Sequence, residues 1–381
     1  MRYLVCLIAA AFLLIHSISI AAERGRRVEN HVPVGVQLRH FTDEGRQNWQ
    51  GVGPRPLATV IWYPVAPGSH LRAPDYGTPT DFSKYFVSYP LADGAEISRE
   101  SQKYPLILIS HGSTSSALSL DWLGYALATR GYIVAAMNHH GDTAAEPGGP
   151  LPQGFATPWE RAKDLSVLID RMLADPVFGP HIDAGRIGAA GHSAGGATVI
   201  ELAGGIFKPA QIQEWCKSNN SADQNCHLPA AIQKKIDKFI ELSKTDAVVK
   251  DSIRRSELAY NDSRVKAVFA MAPAIGVGHT DTSLKAIHIP VAIVAGWADD
   301  ITPVATDAER FAQLIPTATL MVLPGKVGHA TFGSLCTPAA LGGPDWLSWI
   351  CHDEEGVDRA QVHRQIEQLA SEFFREALPS N

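Results

Sequence analysis

The sequence predicts an α/β fold: a mainly parallel sheet with helices on both faces. Three observations point there. From Tyr104 onward, short and almost wholly apolar runs occur, as expected of strands buried on both faces. Between them lie stretches whose apolar residues recur at helical spacing. One apolar, small-residue run ends in Gly191-His192-Ser193-Ala194-Gly195 and passes directly into a helix-compatible stretch, residues 197–202. Strands alternating with helices in this way close into a sheet covered on both sides.

The elements follow in order. Residues 35–41 and 57–64 read as an early pair of strands. Residues 105–110, Pro-Leu-Ile-Leu-Ile-Ser, form a continuous apolar strand; 117–130 fits a helix and 132–138 a second buried strand. A Pro/Gly-rich loop over 142–158 leads to a helix whose Ala162, Leu165, Leu168, Ile169 and Met172 share one face. The strand 187–191 follows, and later 265–271, 290–295 and 319–323. A helix is expected over 303–314, and a last one from Asp358, where Gln361 is placed for a capping box and Val362, Ile366, Ala370 and Phe373 give the apolar face. Residues 205–262 break the rhythm: long, charged and partly helical, they read as an insertion over the C-terminal edge of the sheet, as lid, substrate wall or surface decoration.

Composition narrows the function classes. The 381 residues are 45% hydrophobic and 19% charged, which fits a globular chain with a sizeable core, and the net charge of -6 offers no basic surface for nucleic acid. Arg2, the apolar run 4–15 and the small residues before Glu23 read as a signal peptide over 1–22, cleaved after Ala21 or Ala22, leaving one domain over 23–381. The run is too short for a membrane span, which needs roughly 20 apolar residues. A secreted or periplasmic protein without stable membrane insertion is expected. Removal of Cys6 then leaves Cys216, Cys226, Cys336 and Cys351 in an oxidising compartment. Four cysteines allow three pairings, and proximity favours Cys216 with Cys226 and Cys336 with Cys351. No cysteine or histidine cluster has zinc spacing, so no metal is expected.

The chemistry gathers around Ser193. G-x-S-x-G between strand and helix is the pattern of a nucleophile elbow, a turn so tight that the serine hydroxyl stands clear of the sheet. A serine hydroxyl needs a base in contact and a third group to orient that base. In this architecture they follow in the order acid, then histidine. The strand 290–295 ends in Gly296-Trp297-Ala298-Asp299-Asp300, which presents Asp299 as the acid, with Asp300 the fallback; the rival role for Asp299 is an N-cap of the following helix, which Asp300 or Thr302 can fill instead and so leave Asp299 free. The strand 319–323 runs into a glycine-containing loop that carries His329, the expected base. Two backbone amides should complete an oxyanion hole: that of Ala194, and that of Ser113 in the His111-Gly112-Ser113-Thr114 loop. His111 reads as a loop-shaping residue, and His139 and His140 as pocket wall or loop hydrogen bonding.

These residues resemble the α/β-hydrolase superfamily. Within it the chain looks most like the exported, serine-type "predicted dienelactone hydrolase" group, related to platelet-activating-factor acetylhydrolases. The pieces that carry the likeness include residues 55–64, Ser110-His-Gly112, His140-Gly-Asp142, 164–170, Gly191-His-Ser-Ala-Gly-Gly196 and Gly328-His-Ala-Thr-Phe332, spread over roughly 32–378. The resemblance implies Ser193 as nucleophile, Asp299 as acid, His329 as base, and an esterase that cleaves small-molecule, short-acyl carboxylic esters without a cofactor. Dienelactone hydrolases proper use cysteine where this chain has Ser193, so the resemblance carries class and not substrate. A catalytically silent binding protein on the same fold, and an amidase or peptidase using the same triad, are the rival expectations. Nothing in the sequence sets the oligomeric state.

Overall fold

A computed structural model describes residues 32–74, 82–218 and 223–380. The leader expected over 1–22 lies outside the described residues. The described chain forms one nine-stranded sheet: β1 (Val34–Gln47), β2 (Pro54–Pro64), β3 (Ala92–Asp93), β4 (Tyr104–Ser110), β5 (Ile133–Met137), β6 (Ile182–His192), β7 (Val265–Met271), β8 (Val291–Gly296) and β9 (Ala318–Leu323). Their spatial order is β3-β1-β2-β5-β4-β6-β7-β8-β9. β1 and β2 pair antiparallel, β2 meets β5 antiparallel, and from β5 to β9 every pairing is parallel.

The continuous apolar runs are strands buried on both faces. In β4, Leu106 and Leu108 pack with Leu165, Leu168 and Met172, the apolar stripe of the helix Pro158–Ala174. Ile107 and Ile109, pointing the other way, pack with Trp122, Leu123, Ile366 and Phe374 from the helices Asp121–Ala128 and Arg359–Ala377. Each fully buried Leu or Ile contributes about 1.5–3 kcal/mol, so this central strand anchors both halves of the core. The alternation predicted for the sheet and its two covering layers is present.

Several element bounds differ from expectation for local reasons. Residues 117–120 form a 3-10 turn before the α-helix begins at Asp121. The early strand pair is longer than 35–41 and 57–64, because backbone pairing extends each strand beyond its apolar part, past a register shift between Asp43 and Gln47. The helix expected over 303–314 starts only at Ala308. The side chain of Asp299 takes the N–H groups of Ile301 and Thr302 and shapes a turn there, and Thr306 and Asp307 both close turns on the carbonyl of Pro303. At the last helix Asp358 caps as expected, accepting the N–H of Gln361 at 3.0 Å.

Between the helix Ala194–Ala203 and β7 lie the helices Pro209–Ser218, Ala230–Thr245 and Ala247–Arg254. The four described cysteines form the bonds Cys216–Cys226 and Cys336–Cys351, the pairing that proximity favoured. No described helix is long and apolar enough to cross a membrane.

Candidate active site

β4, β5, β6, β8 and β9 run parallel, so the loops that follow them all open at one edge of the sheet. The order of the chain reverses around β4, which lies between β5 and β6. Loops splay apart at such a point and leave a crevice outside the carboxyl ends of the strands. Ser193 sits there, immediately after β6.

Ser193 has φ 58° and ψ −123°, a conformation that side chains other than glycine rarely adopt. Three hydrogen bonds hold it: its N–H donates to Met271 O at 2.9 Å, and its carbonyl accepts from Ala197 and Ala274, each at 3.1 Å. The flanking glycines are required by backbone contact. A Cβ on Gly191 would fall on the carbonyl of Gly195, and one on Gly195 would fall on the carbonyls of Ser110 and His111. Strand, turn and helix therefore close more tightly than side chains would allow. Ala194 opens the helix, and the first N–H groups of a helix have no acceptor within it.

The structure brings Asp299 and His329 together. Nδ1 of His329 lies 2.8 Å from Oδ2 of Asp299. The same oxygen accepts Thr302 Oγ1–H at 2.9 Å, while Oδ1 accepts the Ile301 and Thr302 N–H groups at 2.9 and 2.8 Å. Burial pushes this carboxyl up, but the hydrogen bond and charge of His329 and the Thr302 donors outweigh it and hold Asp299 below the usual carboxylate range. Neither Asp300 nor Thr302 caps a helix, since the next helix begins at Ala308 behind Asp307; Asp299 closes its own turn with one oxygen and faces the histidine with the other. Asp300 is exposed.

His329 is buried in a loop braced from below. The carbonyl of Phe332 accepts Trp122 Nε1–H at 3.1 Å, and that of Thr331 lies 2.9 Å from His363 Nε2, with Trp122 and His363 stacked at 4.0 Å. On the serine side, the ring of His192 packs 4.6 Å from that of His329. Burial, then the neighbouring His329, holds the His192 pKa well below that of an ordinary imidazole. A neutral ring at the end of the nucleophile strand thus packs against the histidine loop.

The loop after β4 reaches the serine from the other side: a Cβ on Gly112 would stand 3.3 Å from the Cβ of Ser193. His111 shapes this loop. Its Nδ1 bonds Gly112 O at 2.6 Å, and its Nε2 accepts the N–H of His139 at 3.1 Å. Both contacts are satisfied by the neutral tautomer with hydrogen on Nδ1. Burial, then the charge of Arg161, holds its pKa well below the ordinary value and keeps that form.

Beneath the loop lies a buried polar network that sequence reasoning missed. Asp164 accepts Arg55 and Arg46, and its Oδ2 lies 3.0 Å from His139 Nδ1. His139 Nε2 in turn lies 2.9 Å from Ser110 Oγ. Ser110, His139 and Asp164 have the connectivity of a triad, yet none is exposed to solvent and no substrate can reach them. Burial, then Arg161, brings the His139 pKa to about 3, so the ring stays neutral as a structural bridge. His140 also serves a loop: its Nε2 accepts the N–H of Trp49 at 3.0 Å and its Nδ1 bonds Glu146 at 2.7 Å. A signal for the network did exist: Arg161 and Asp164 each precede a core leucine by four residues, so charges sit on the apolar face of their helix.

A cleft of about 630 Å³ opens beside His329. Ala298, Ile301, Ala330 and Trp349 give it apolar walls, and Asp300 and Lys326 charged ones. Trp349 belongs to the helix Asp345–Cys351, tied to the histidine loop by the disulfide to Cys336. Among the described residues no group of three metal-ligating side chains converges.

Residues 101–333 match the family model of the serine aminopeptidases, S33. The chain belongs to this family. The matched span of this S33 chain runs from just before β4 to the histidine loop, and its fold is the α/β-hydrolase fold. It is 30% identical to Cutinase est2 of Thermobifida alba over 155 residues, 40% of this chain and 45% of that protein. It is 34% identical to Cutinase est1 of the same organism over 107 residues, 28% of this chain and 32% of that one. The S33 chain thus spans less than half the length of these curated relatives. Its fold is also that of a ferulic acid esterase from Streptomyces cinnamoneus, with a TM-score of 0.62 and 22% identity over 93% of this chain and 91% of that one.

Proposed function

We propose that this chain is an exported carboxylic-ester hydrolase that works through an acyl-enzyme. The observation that carries the reading is the 2.8 Å pairing of His329 with Asp299, with the His329 ring 4.6 Å from that of His192, the residue directly before the elbow serine. His329 takes the proton of Ser193 as its oxygen attacks the ester carbonyl. Asp299 holds the imidazole in the tautomer that leaves Nε2 free to accept, and stabilises the imidazolium that forms. The amides of Ser113 and Ala194 receive the tetrahedral oxyanion, each donor contributing a factor of about 10²–10³ in rate. His329 then returns the proton to the leaving alcohol, and water releases the acid by the reverse path.

The cutinase relatives support ester substrates. Within the superfamily we assign the chain to the serine-type dienelactone hydrolase group akin to platelet-activating-factor acetylhydrolases, on the motifs quoted above. A single domain over 23–381 with an insertion at 205–262, preceded by a cleaved leader, completes the reading; the two disulfides fit an oxidising compartment.

The family's description favours a second reading, amide or peptide hydrolysis by the same residues. The experiment is a panel of p-nitrophenyl esters of rising acyl length set beside aminoacyl anilides, with wild type and Ser193→Ala. Ser193-dependent ester turnover well above anilide turnover is expected; the reverse order establishes the peptidase. A folded protein that gives no Ser193-dependent adduct with a fluorophosphonate probe is a silent binding protein, and the proposal is then wrong.

A further inference from the structure

Both halves of the suggested oxyanion hole hang from one buried side chain. Arg161 is almost wholly shielded from solvent. It donates from Nη1 to Asp142 Oδ2 at 2.6 Å, from Nη2 to the carbonyl of His111, and from Nε to Thr198 Oγ1 at 3.1 Å. Thr198 Oγ1 passes its own hydrogen to Ala194 O at 2.8 Å, inside the first turn of the nucleophile helix. Asp142 uses its other oxygen, Oδ1, to accept Ser113 Oγ–H at 2.8 Å and Thr114 N–H at 2.9 Å. One guanidinium therefore ties the loop after β4, the loop after β5 and the helix after β6.

The peptide that matters most is Gly112–Ser113. Its carbonyl is occupied by His111 Nδ1 at 2.6 Å and Ser115 N–H at 3.2 Å. In a planar trans peptide the N–H points opposite to the carbonyl, so fixing Gly112 O also fixes the direction of Ser113 N–H. The peptides on either side are pinned as well, His111 O by Arg161 and Thr114 N–H by Asp142. Thr114, at φ 59°, holds a left-handed conformation that a β-branched residue keeps only where its surroundings enforce it. An apolar pair could fill this space but could not donate to three oxygens at once, and a lysine is a point charge without the planar fork.

We propose that Arg161 and Asp142 are a positioning pair that sets the Ser113 amide against the nucleophile helix and so makes the oxyanion hole. The inference rests on the esterase reading above. Neither residue touches substrate; they act through the Gly112–Ser113 peptide and through Thr198.

The test compares Arg161→Lys, Asp142→Asn and Ser113→Ala with wild type. Active sites are counted by the end-point of fluorophosphonate labelling, so that loss of folded protein is not read as loss of rate. Arg161→Lys keeps the charge and removes the fork, and Asp142→Asn sets an amide N–H against Nη1. Each should lower kcat per labelled site by about 10²-fold, the contribution of one hole donor, with KM within about threefold. Affinity for a trifluoromethyl ketone, which forms the tetrahedral adduct, should fall in step with kcat/KM. Ser113→Ala, which removes one of two bonds to Asp142 Oδ1, should fall between. Amide hydrogen exchange over residues 111–115 should quicken in Arg161→Lys and Asp142→Asn. Unchanged kcat per labelled site in both of these variants, or unchanged exchange, overturns the proposal. Should wild type show no Ser193-dependent turnover, the esterase reading fails by itself, and exchange in the loop still decides whether the pair holds it.

Discussion

Replacing Asp299 with asparagine tests the proposed roles most sharply, because the geometry separates folding from chemistry. Asp299 Oδ1 accepts two backbone N–H groups, and Oδ2 faces His329 Nδ1 and Thr302 Oγ1. An asparagine keeps the first pair with its own carbonyl oxygen, so the turn at 299–302 stays closed. Its Nδ2 then occupies the place of Oδ2 and donates where a carboxylate accepted. Thr302 can rotate its hydroxyl to accept; His329 must answer with an unprotonated Nδ1, which puts its hydrogen on Nε2. A base carrying that hydrogen cannot take the proton of Ser193. The expected loss in kcat is about 10⁴-fold, about 5.4 kcal/mol of barrier, with KM little changed. The assay is p-nitrophenyl butyrate hydrolysis per fluorophosphonate-labelled site, with a thermal melt to show that the fold persists. Asp300→Asn, at an exposed neighbour in the cleft wall, should keep most of the wild-type kcat, any change falling on KM. If Asp299→Asn retained more than a tenth of wild-type kcat, or if Asp300→Asn lost activity instead, the assignment of the acid would be wrong.

Three other outcomes follow from the same structure. Ser193 at φ 58° carries backbone strain of about 1–3 kcal/mol, so Ser193→Gly should be inactive yet more stable than the equally inactive Ser193→Ala; equal melting temperatures would show the elbow unstrained. Burial raises the Asp307 carboxyl to about 8, against about 4 in an unfolded chain. Between those values the folded state holds a proton that the unfolded state has lost, so this residue lowers stability as pH rises. Asp307→Asn, which does not titrate and can still accept the Gly276 N–H, should therefore gain on wild type from pH 5 to pH 8; a constant difference in Tm would refute this. Finally, Cys336–Cys351 closes a loop of sequence separation 15, so the double serine variant should lose about 3 kcal/mol in denaturant titration, and an unchanged midpoint would contradict that value.

The fold, and the residues of the proposed site, were legible in the sequence where they rest on short-range patterns. An apolar run flanked by turn residues is a buried strand wherever it lies, and Gly-x-Ser-x-Gly between strand and helix leaves the backbone few alternatives. The order Ser193, Asp299, His329 followed from placing one chemically able residue at the end of each later strand. Close cysteines gave the disulfides because short loops bring their ends together at low entropic cost. The start of the helix at Ala308 was misread for the opposite reason. Propensity allowed a helix from Pro303, but the Asp299 carboxylate captured the N–H groups of Ile301 and Thr302.

The alternating architecture and the elbow were readable from residues near one another in the chain, and the same short patterns supplied Asp299 and His329 as proposed partners of Ser193. Their surroundings come from contacts made across the folded chain. Arg161 meets His111, Asp142 and Thr198 across three separate elements, and Asp164 gathers Arg46 and Arg55 from the first hairpin. Ser110, His139 and Asp164 display a triad's connectivity, and only their burial shows that it is structural. The physical reason is common to all of them. A charge or a histidine gains its role from the groups that face it after folding, and those groups lie tens of residues away along the chain.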